Sequence, residues 1–286
     1  MKKSLVLLLI SSLVSGLYAR QPRTVVEPPF AFRNSGTLEI ERIELAPEST
    51  TVYIQAYFRP HNWIRISSET YIRAGAEGEK LTVRSADGMP LDTEFYMPET
   101  GRHDFSLSFP PVDPKTAKID LIESDCPDCF KIYDIDLTGK KAKPGRSALA
   151  KKYKKTVPLT ENFTAPIVSD SPARIAGAIT GYDLRFFDRI EIAFYSPIVG
   201  DGATELKVPV HADGSFETEL NILTPICGTL FLPGFVTLPF YAEPGRETAL
   251  EIDLGAVYRK TSVFKELHPQ TSPVAYYGEL GRVNEE

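Results

Sequence analysis

The chain is poor in the residues that build catalytic and metal sites. Its 286 residues include three cysteines, four histidines, three methionines and one tryptophan. No G-x-S-x-G, H-E-x-x-H or phosphate-loop pattern occurs, and Gly200-Asp201-Gly202 lacks the third glycine and following helix of a dinucleotide fingerprint. Hydrolase and nucleotide-binding chemistry therefore finds no support. A positive surplus is missing as well. With 32 Lys and Arg against 38 Asp and Glu, the net charge of -6 does not suit a surface that must neutralise phosphates, so nucleic acid is not expected as a partner. Long apolar runs are absent beyond the first twenty residues, so no other segment approaches the roughly 20 residues of helix that cross a bilayer.

What the first residues do contain is an export signal. Met1-Lys2-Lys3 precede an apolar run from Leu5 to Tyr18, and Ala19 stands before the polar Arg20-Gln21-Pro22. This reads as a signal peptide over residues 1–19, cut after Ala19. The run is too short to remain as a span, and no cysteine follows it to accept a lipid. The expected product is exported, with no transmembrane segment after signal cleavage.

The composition that remains, with 23 Pro, 19 Gly, 13 Tyr and 16 Phe, favours strands and turns. Apolar residues recur at every second position from about Thr37 to Leu137, as in Val52, Ile54, Ala56 and Phe58, then Ile64 and Ile66, then Phe105, Leu107 and Phe109. The spacing predicts an N-terminal β-domain over residues 24–138. Lysines and arginines without acids fill the stretch from Gly139 to Thr156, which predicts a basic linker over 139–164. A second strand-rich domain is expected over 165–255. Its clearest signal is Leu206, Val208 and Val210, then Asp213-Gly214, then Phe216, Thr218 and Leu220, which predicts a hairpin. In the last segment, 256–286, Ser272-Pro273 resembles a helix start, and Val274, Tyr277, Leu280 and Val283 recur at helical spacing. The expected fold is all-β: two antiparallel β-sandwich-like domains joined by a basic linker, with a short C-terminal helix.

Cys126-Pro127-Asp128-Cys129 is the constellation with the most chemistry to offer. Four readings stand: a structural disulfide across a tight turn, a dithiol working in redox exchange, half of a metal site, and unpaired thiols. The residues that follow, Phe130 to Ile135, alternate like a strand, whereas a redox cysteine gains from a helix N-terminus, and Asp125 and Asp128 oppose a thiolate. The disulfide is favoured. His61, His103, His211 and His268 show no ligand spacing, so neither a metal nor a cofactor is expected. Asp134-Ile135-Asp136 mimics the opening of a calcium loop, but Gly145 stands where the bidentate acid belongs. Cys227, in the apolar run Ile226 to Leu232, reads as a small buried hydrophobe. Tyr57, His61 and Trp63, with Phe58 and Asn62 beside them, form a candidate binding group that could face a sugar, although a lone tryptophan of a β-domain is more often core.

Taken together, the segments resemble a known arrangement. The run from Tyr57 to Ile66, Ala86-Asp87-Gly88, Met97-Pro98-Glu99, Phe105 to Pro110 and Phe130-Lys131-Ile132 is similar to the N-terminal region of bacterial envelope TlpA-like thiol-disulfide oxidoreductases. Asp213-Gly214-Ser215-Phe216, and Pro244-Gly245 through Leu254, resemble the β-sandwich region that precedes the thioredoxin domain in those proteins, and Tyr277 to Glu285 resembles the helix that follows it. The resemblance implies the periplasm or cell envelope of a Gram-negative bacterium and a thioredoxin-like protein partner. In that family the redox cysteines belong to a C-terminal thioredoxin domain, which the sequence lacks, so Cys126 and Cys129 do not inherit their role. The expected function is a non-catalytic binding or accessory module. A thiol-redox protein acting through Cys126 and Cys129 is the alternative, and a glycan-binding module is the weaker one.

Overall fold

The computed structural model describes residues 22–139, 168–196, 202–264 and 272–285. The expected signal peptide and nearly all of the expected basic linker lie outside the described residues. What is described is mostly strand, as the alternation predicts.

The N-terminal unit is a sandwich of two five-stranded antiparallel sheets. One runs in the order Arg23–Val26, Leu38–Leu45, Thr50–Tyr57, Arg102–Phe109, Ser85–Asp87; the other runs Phe32–Arg33, Lys131–Asp136, Lys118–Ile122, Tyr71–Arg73, Leu81–Thr82. Alternate side chains of both sheets meet in one core, which includes Ile43, Val52, Ile54, Leu107 and Phe109 with Ile72, Ile119, Leu121 and Ile135. A separate two-stranded ribbon pairs Trp63–Ile64 with Phe95–Tyr96.

The second unit packs two four-stranded sheets. The first has the order Ser215–Leu220, Ala173–Thr180, Glu247–Asp253, Val274–Tyr277, and the second has Ala203–Pro209, Arg189–Tyr195, Ile226–Leu232, Val236–Ala242. Each sheet hides a glycine under a cross-strand phenylalanine. A Cβ on Gly177 would lie 2.2 Å from the ring of Phe216, and one on Gly228 2.3 Å from that of Phe240, so a larger residue would displace both rings.

Several local expectations are corrected. Ala173–Thr180 and Glu247–Asp253 run parallel, not antiparallel. The Asp213-Gly214 turn does not close a hairpin ladder, because Ala203–Pro209 pairs with Arg189–Tyr195 while Ser215–Leu220 crosses to the facing sheet and pairs with Ala173–Thr180. Alternation is identical in the two cases, so the period alone could not separate a hairpin from a corner. Leu254 ends no strand. It opens a helix, α1 (Leu254–Thr261), capped by the Asp253 carboxylate, which accepts from the Ala256 N–H at 2.8 Å. Gly255 weakens the helical signal of this turn, while Arg259 and Lys260 in its last turn suit the helix dipole.

The C-terminal helix is also shorter than the spacing suggests. Val274–Tyr277 is an edge strand on Glu247–Asp253, with Ile252 opposite Val274, and only Gly281–Glu285 is helical, as α2. Val274, Tyr276 and Tyr277 are good strand formers, and an open edge offers them hydrogen bonds that an isolated helix start cannot match. Leu280 is buried, and Asn284 reaches the facing sheet: its side-chain amide accepts from the Tyr241 N–H at 2.7 Å and donates to the Tyr241 carbonyl at 3.1 Å.

The two sandwiches meet across a buried junction. Phe32 stacks on Phe186 with ring centroids 5.1 Å apart and receives Tyr258 of α1 edge-on at 5.2 Å, with Tyr133 and Phe187 completing the seat. Next to it, buried Arg33 pairs with buried Glu39 at 2.7 Å and donates to the Thr261 carbonyl at 3.1 Å. Glu39 in turn accepts from the Ser262 hydroxyl and the Val263 N–H. Across the same junction, Arg185 bonds Asp120 and Asp134, each at 2.9 Å.

Candidate functional site

The exposed side chains with the strongest binding character lie on the two-stranded ribbon. Ile64 and Met97 are buried beneath it, while Trp63 and Tyr96 face solvent with 46% and 61% exposure. They sit directly opposite each other in the register, so both rings stand on one face of the ribbon. A pair of large exposed aromatics side by side is uncommon, because each leaves apolar area in water that burial would stabilise.

The ribbon is short, but its surroundings brace it. The turn before Trp63 places His61 in the left-handed region at φ 62, closes with an Asn62 N–H donating to the Arg59 carbonyl at 3.1 Å, and ties across by His61 N–H to Met97 carbonyl at 3.0 Å and Met97 N–H to Asn62 carbonyl at 2.9 Å. A bulky residue adopts that backbone only where neighbours hold it. Gly101 supports the base of the turn with φ 64. A Cβ there would come within 2.7 Å of the Phe58 carbonyl, so the close approach requires glycine. The Tyr96 hydroxyl donates to Glu94 at 3.0 Å, and the pairing holds the phenol proton, raising its pKa above the ordinary tyrosine value.

Of the residues expected from the sequence, Trp63 is solvent-facing, contrary to the usual fate of a lone tryptophan. His61 is exposed, stands in the turn and lies 3.1 Å from Glu99. Tyr57 is half-buried at the end of Thr50–Tyr57, its hydroxyl committed to Gln55 at 2.7 Å. Tyr96 was not among the expected residues, since only the register places it across from Trp63.

Cys126 and Cys129 form a disulfide in the turn between Lys118–Ile122 and Lys131–Asp136. The turn is tied down on both sides. Asn34 donates to the Cys129 carbonyl at 2.7 Å, and Asp125 accepts from Lys80 at 2.7 Å and from the Tyr71 hydroxyl at 3.0 Å, contacts that hold the Asp125 carboxyl below the usual range. Because the closed loop is so short, replacing both cysteines by serine should cost at most about 2 kcal/mol in a urea titration. A larger loss, or insulin reduction by the wild type that vanishes in the double variant, would count against a purely local role. Cys227 is exposed, which corrects its assignment to the core. In its strand Ile226, Gly228, Leu230 and Leu232 point inward and Cys227 points out, a period hidden because residues on both faces are apolar. Among the described residues no group of three His, Cys, Asp or Glu is placed to hold a metal ion, and no helix is long and apolar enough to cross a membrane.

A cavity of about 210 Å³ lies between the two units, lined by Phe30, Lys118, Asp134, Asp136, Asp253 and Arg259 among others. Its charges serve the junction first. Burial pushes the Asp134 carboxyl up, but hydrogen bonds from Lys118 and Arg185 outweigh it and hold the group below the usual carboxylate range; burial likewise opposes the Arg185 charge, but Asp183 and Asp134 outweigh it and raise the guanidinium above its ordinary value. A depressed carboxylate stabilises the fold fully above its unfolded pKa of about 3.9, and that contribution disappears as pH falls through the lower folded value. Urea titrations of the wild type and Asp134→Asn should therefore show a stability gap that is constant near neutrality and narrows below about pH 4. A gap of equal size at pH 3 and pH 7 would contradict this assignment.

Neither a family model nor a curated protein matches the chain. Among solved structures it is similar to pullulanase type I from Bacillus subtilis str. 168 complexed with maltose, at 7% identity and a TM-score of 0.25 over 66% of this chain and 23% of that one. A pullulanase from Anoxybacillus sp. LM18-11 complexed with maltotriose gives 8% identity and a TM-score of 0.24, covering 67% and 24%. The chain spans about a quarter of the length of these pullulanases, and likenesses at that level carry no argument about fold or activity.

Proposed function

We propose that the chain is a non-catalytic, exported binding module, akin to the N-terminal region of TlpA-like oxidoreductases and acting through its aromatic ribbon. The observation that carries this reading is the Trp63–Tyr96 pair, two exposed rings on one face of a ribbon whose turn is braced from several sides. Rigid aromatics with a polar tip make large contacts at small entropic cost, which is why they concentrate at binding surfaces. Export is the expectation from the leader, and an envelope location and a thioredoxin-like partner are expectations from the resemblance.

Trp63 is the single tryptophan of the chain, so its fluorescence reports this face directly. Titration with a thioredoxin-fold dithiol protein and with soluble oligosaccharides should give, for at least one of them, a saturable change in emission or in quenching by acrylamide. Tyr96→Ala should weaken that response about tenfold while leaving the melting transition in place, since the ring is exposed. A saturating ligand that ignores both rings would move the binding site elsewhere.

A further inference from the structure

The geometry points to a neutral oligosaccharide as the ligand of the aromatic ribbon, an inference that rests on the binding-module reading above. A pyranose has apolar C–H faces and a rim of hydroxyls. It therefore matches a site that offers ring faces for the first and hydrogen-bonding groups for the second. Trp63 and Tyr96 supply the rings, standing opposite each other on one face. Beside them stands the exposed Glu94 carboxylate, which already orients the Tyr96 hydroxyl at 3.0 Å. At the open rim this carboxylate can accept hydrogen bonds from sugar hydroxyls.

Charge and size argue against the other occupants. The two segments that build the ribbon carry Arg59 and Arg65 against Asp92, Glu94 and Glu99. That balance provides no positive field for a polyanion or an anionic lipid surface. A stable protein partner would cover roughly 800 Å² on this side, far more than two rings and their rim. One or two sugar rings need much less. The bracing hydrogen bonds of His61, Asn62 and Met97 also matter, because a face that is already ordered loses little freedom when a weakly held ligand settles on it.

The test uses the full mature chain and four neutral hexasaccharides: α-1,4-linked glucose, β-1,4-linked glucose, β-1,4-linked xylose and β-1,4-linked mannose. At least one should produce a saturable shift in Trp63 emission together with a calorimetric binding signal. Tyr96→Ala and Trp63→Ala should each weaken binding about tenfold, the latter read by calorimetry, and Glu94→Gln should weaken it less. Unchanged circular dichroism in each variant shows that the fold is retained. If no hexasaccharide binds while the thioredoxin-fold protein shields Trp63, the sugar inference is overturned and the binding-module reading survives. If neither binds, both fall. Sugar binding that persists without the two rings also overturns the inference, because it places the saccharide elsewhere.

Discussion

Replacing Phe32 by alanine is expected to remove about 3–5 kcal/mol of stability, the range for deleting a phenylalanine from a packed interior. The ring is 1% exposed and touches Phe186, Phe187, Tyr133 and Tyr258. Two of these partners, Phe186 and Phe187, come from the loop before Arg189–Tyr195, and Tyr258 comes from α1. The cavity left by the ring thus opens between the two sandwiches, not within one of them, and the aromatic contacts that link them go together. The denaturation curve should change shape as well as position, from one transition toward two, as each unit begins to unfold on its own account. Leu184→Ala, at an exposed site in the same loop, should leave the curve within about 0.5 kcal/mol of the wild type. An equal effect from both substitutions would mean that Phe32 does not seat the junction.

Glu39→Ala should be nearly as damaging, by about 3–5 kcal/mol, for an electrostatic reason. Its carboxylate is buried and engages the Arg33 guanidinium, the Ser262 hydroxyl and the Val263 N–H at once. Removing it strands a buried positive charge, since Arg33 keeps only carbonyl and hydroxyl acceptors at Leu38 and Thr261. The double variant Arg33→Met, Glu39→Leu removes the charge along with its partner and should recover at least half of the loss. A double variant no more stable than Glu39→Ala would show that packing, and not the orphaned charge, sets the cost.

Neither junction partner can be read from the sequence, and the reason is separation. Phe32 and Arg33 form a strand only two residues long, too short for any period, and Tyr258 and Thr261 lie more than 200 positions away. Alternation did reveal strands wherever one face is buried and the other wet, as in Thr50–Tyr57 and Arg102–Phe109. It failed where both faces are apolar, at Cys227, and where strands change sheet, at Asp213-Gly214. The solvent-facing Trp63 was legible after all. Ile64 and Ile66 share the inner face, so period two sends Trp63 and Arg65 outward, and only the scarcity of tryptophan argued otherwise. Tyr96 needed the three-dimensional register.

The way Asn284 holds Tyr241 has a consequence for how molecules of this protein meet one another. Val236–Ala242 is the last strand of its sheet, and a free strand edge is a template on which a neighbouring chain can add itself. Here the Asn284 amide imitates that neighbour, filling both the N–H and the carbonyl of Tyr241, while the Tyr276 hydroxyl occupies the carbonyl of Pro239, a residue with no N–H to offer. Val274–Tyr277 adds itself to the facing sheet along Glu247–Asp253 and becomes the last strand of that sheet. Through Asn284 and Tyr276, the C-terminal segment thus occupies in cis backbone groups of Val236–Ala242 on which a strand could otherwise add in trans.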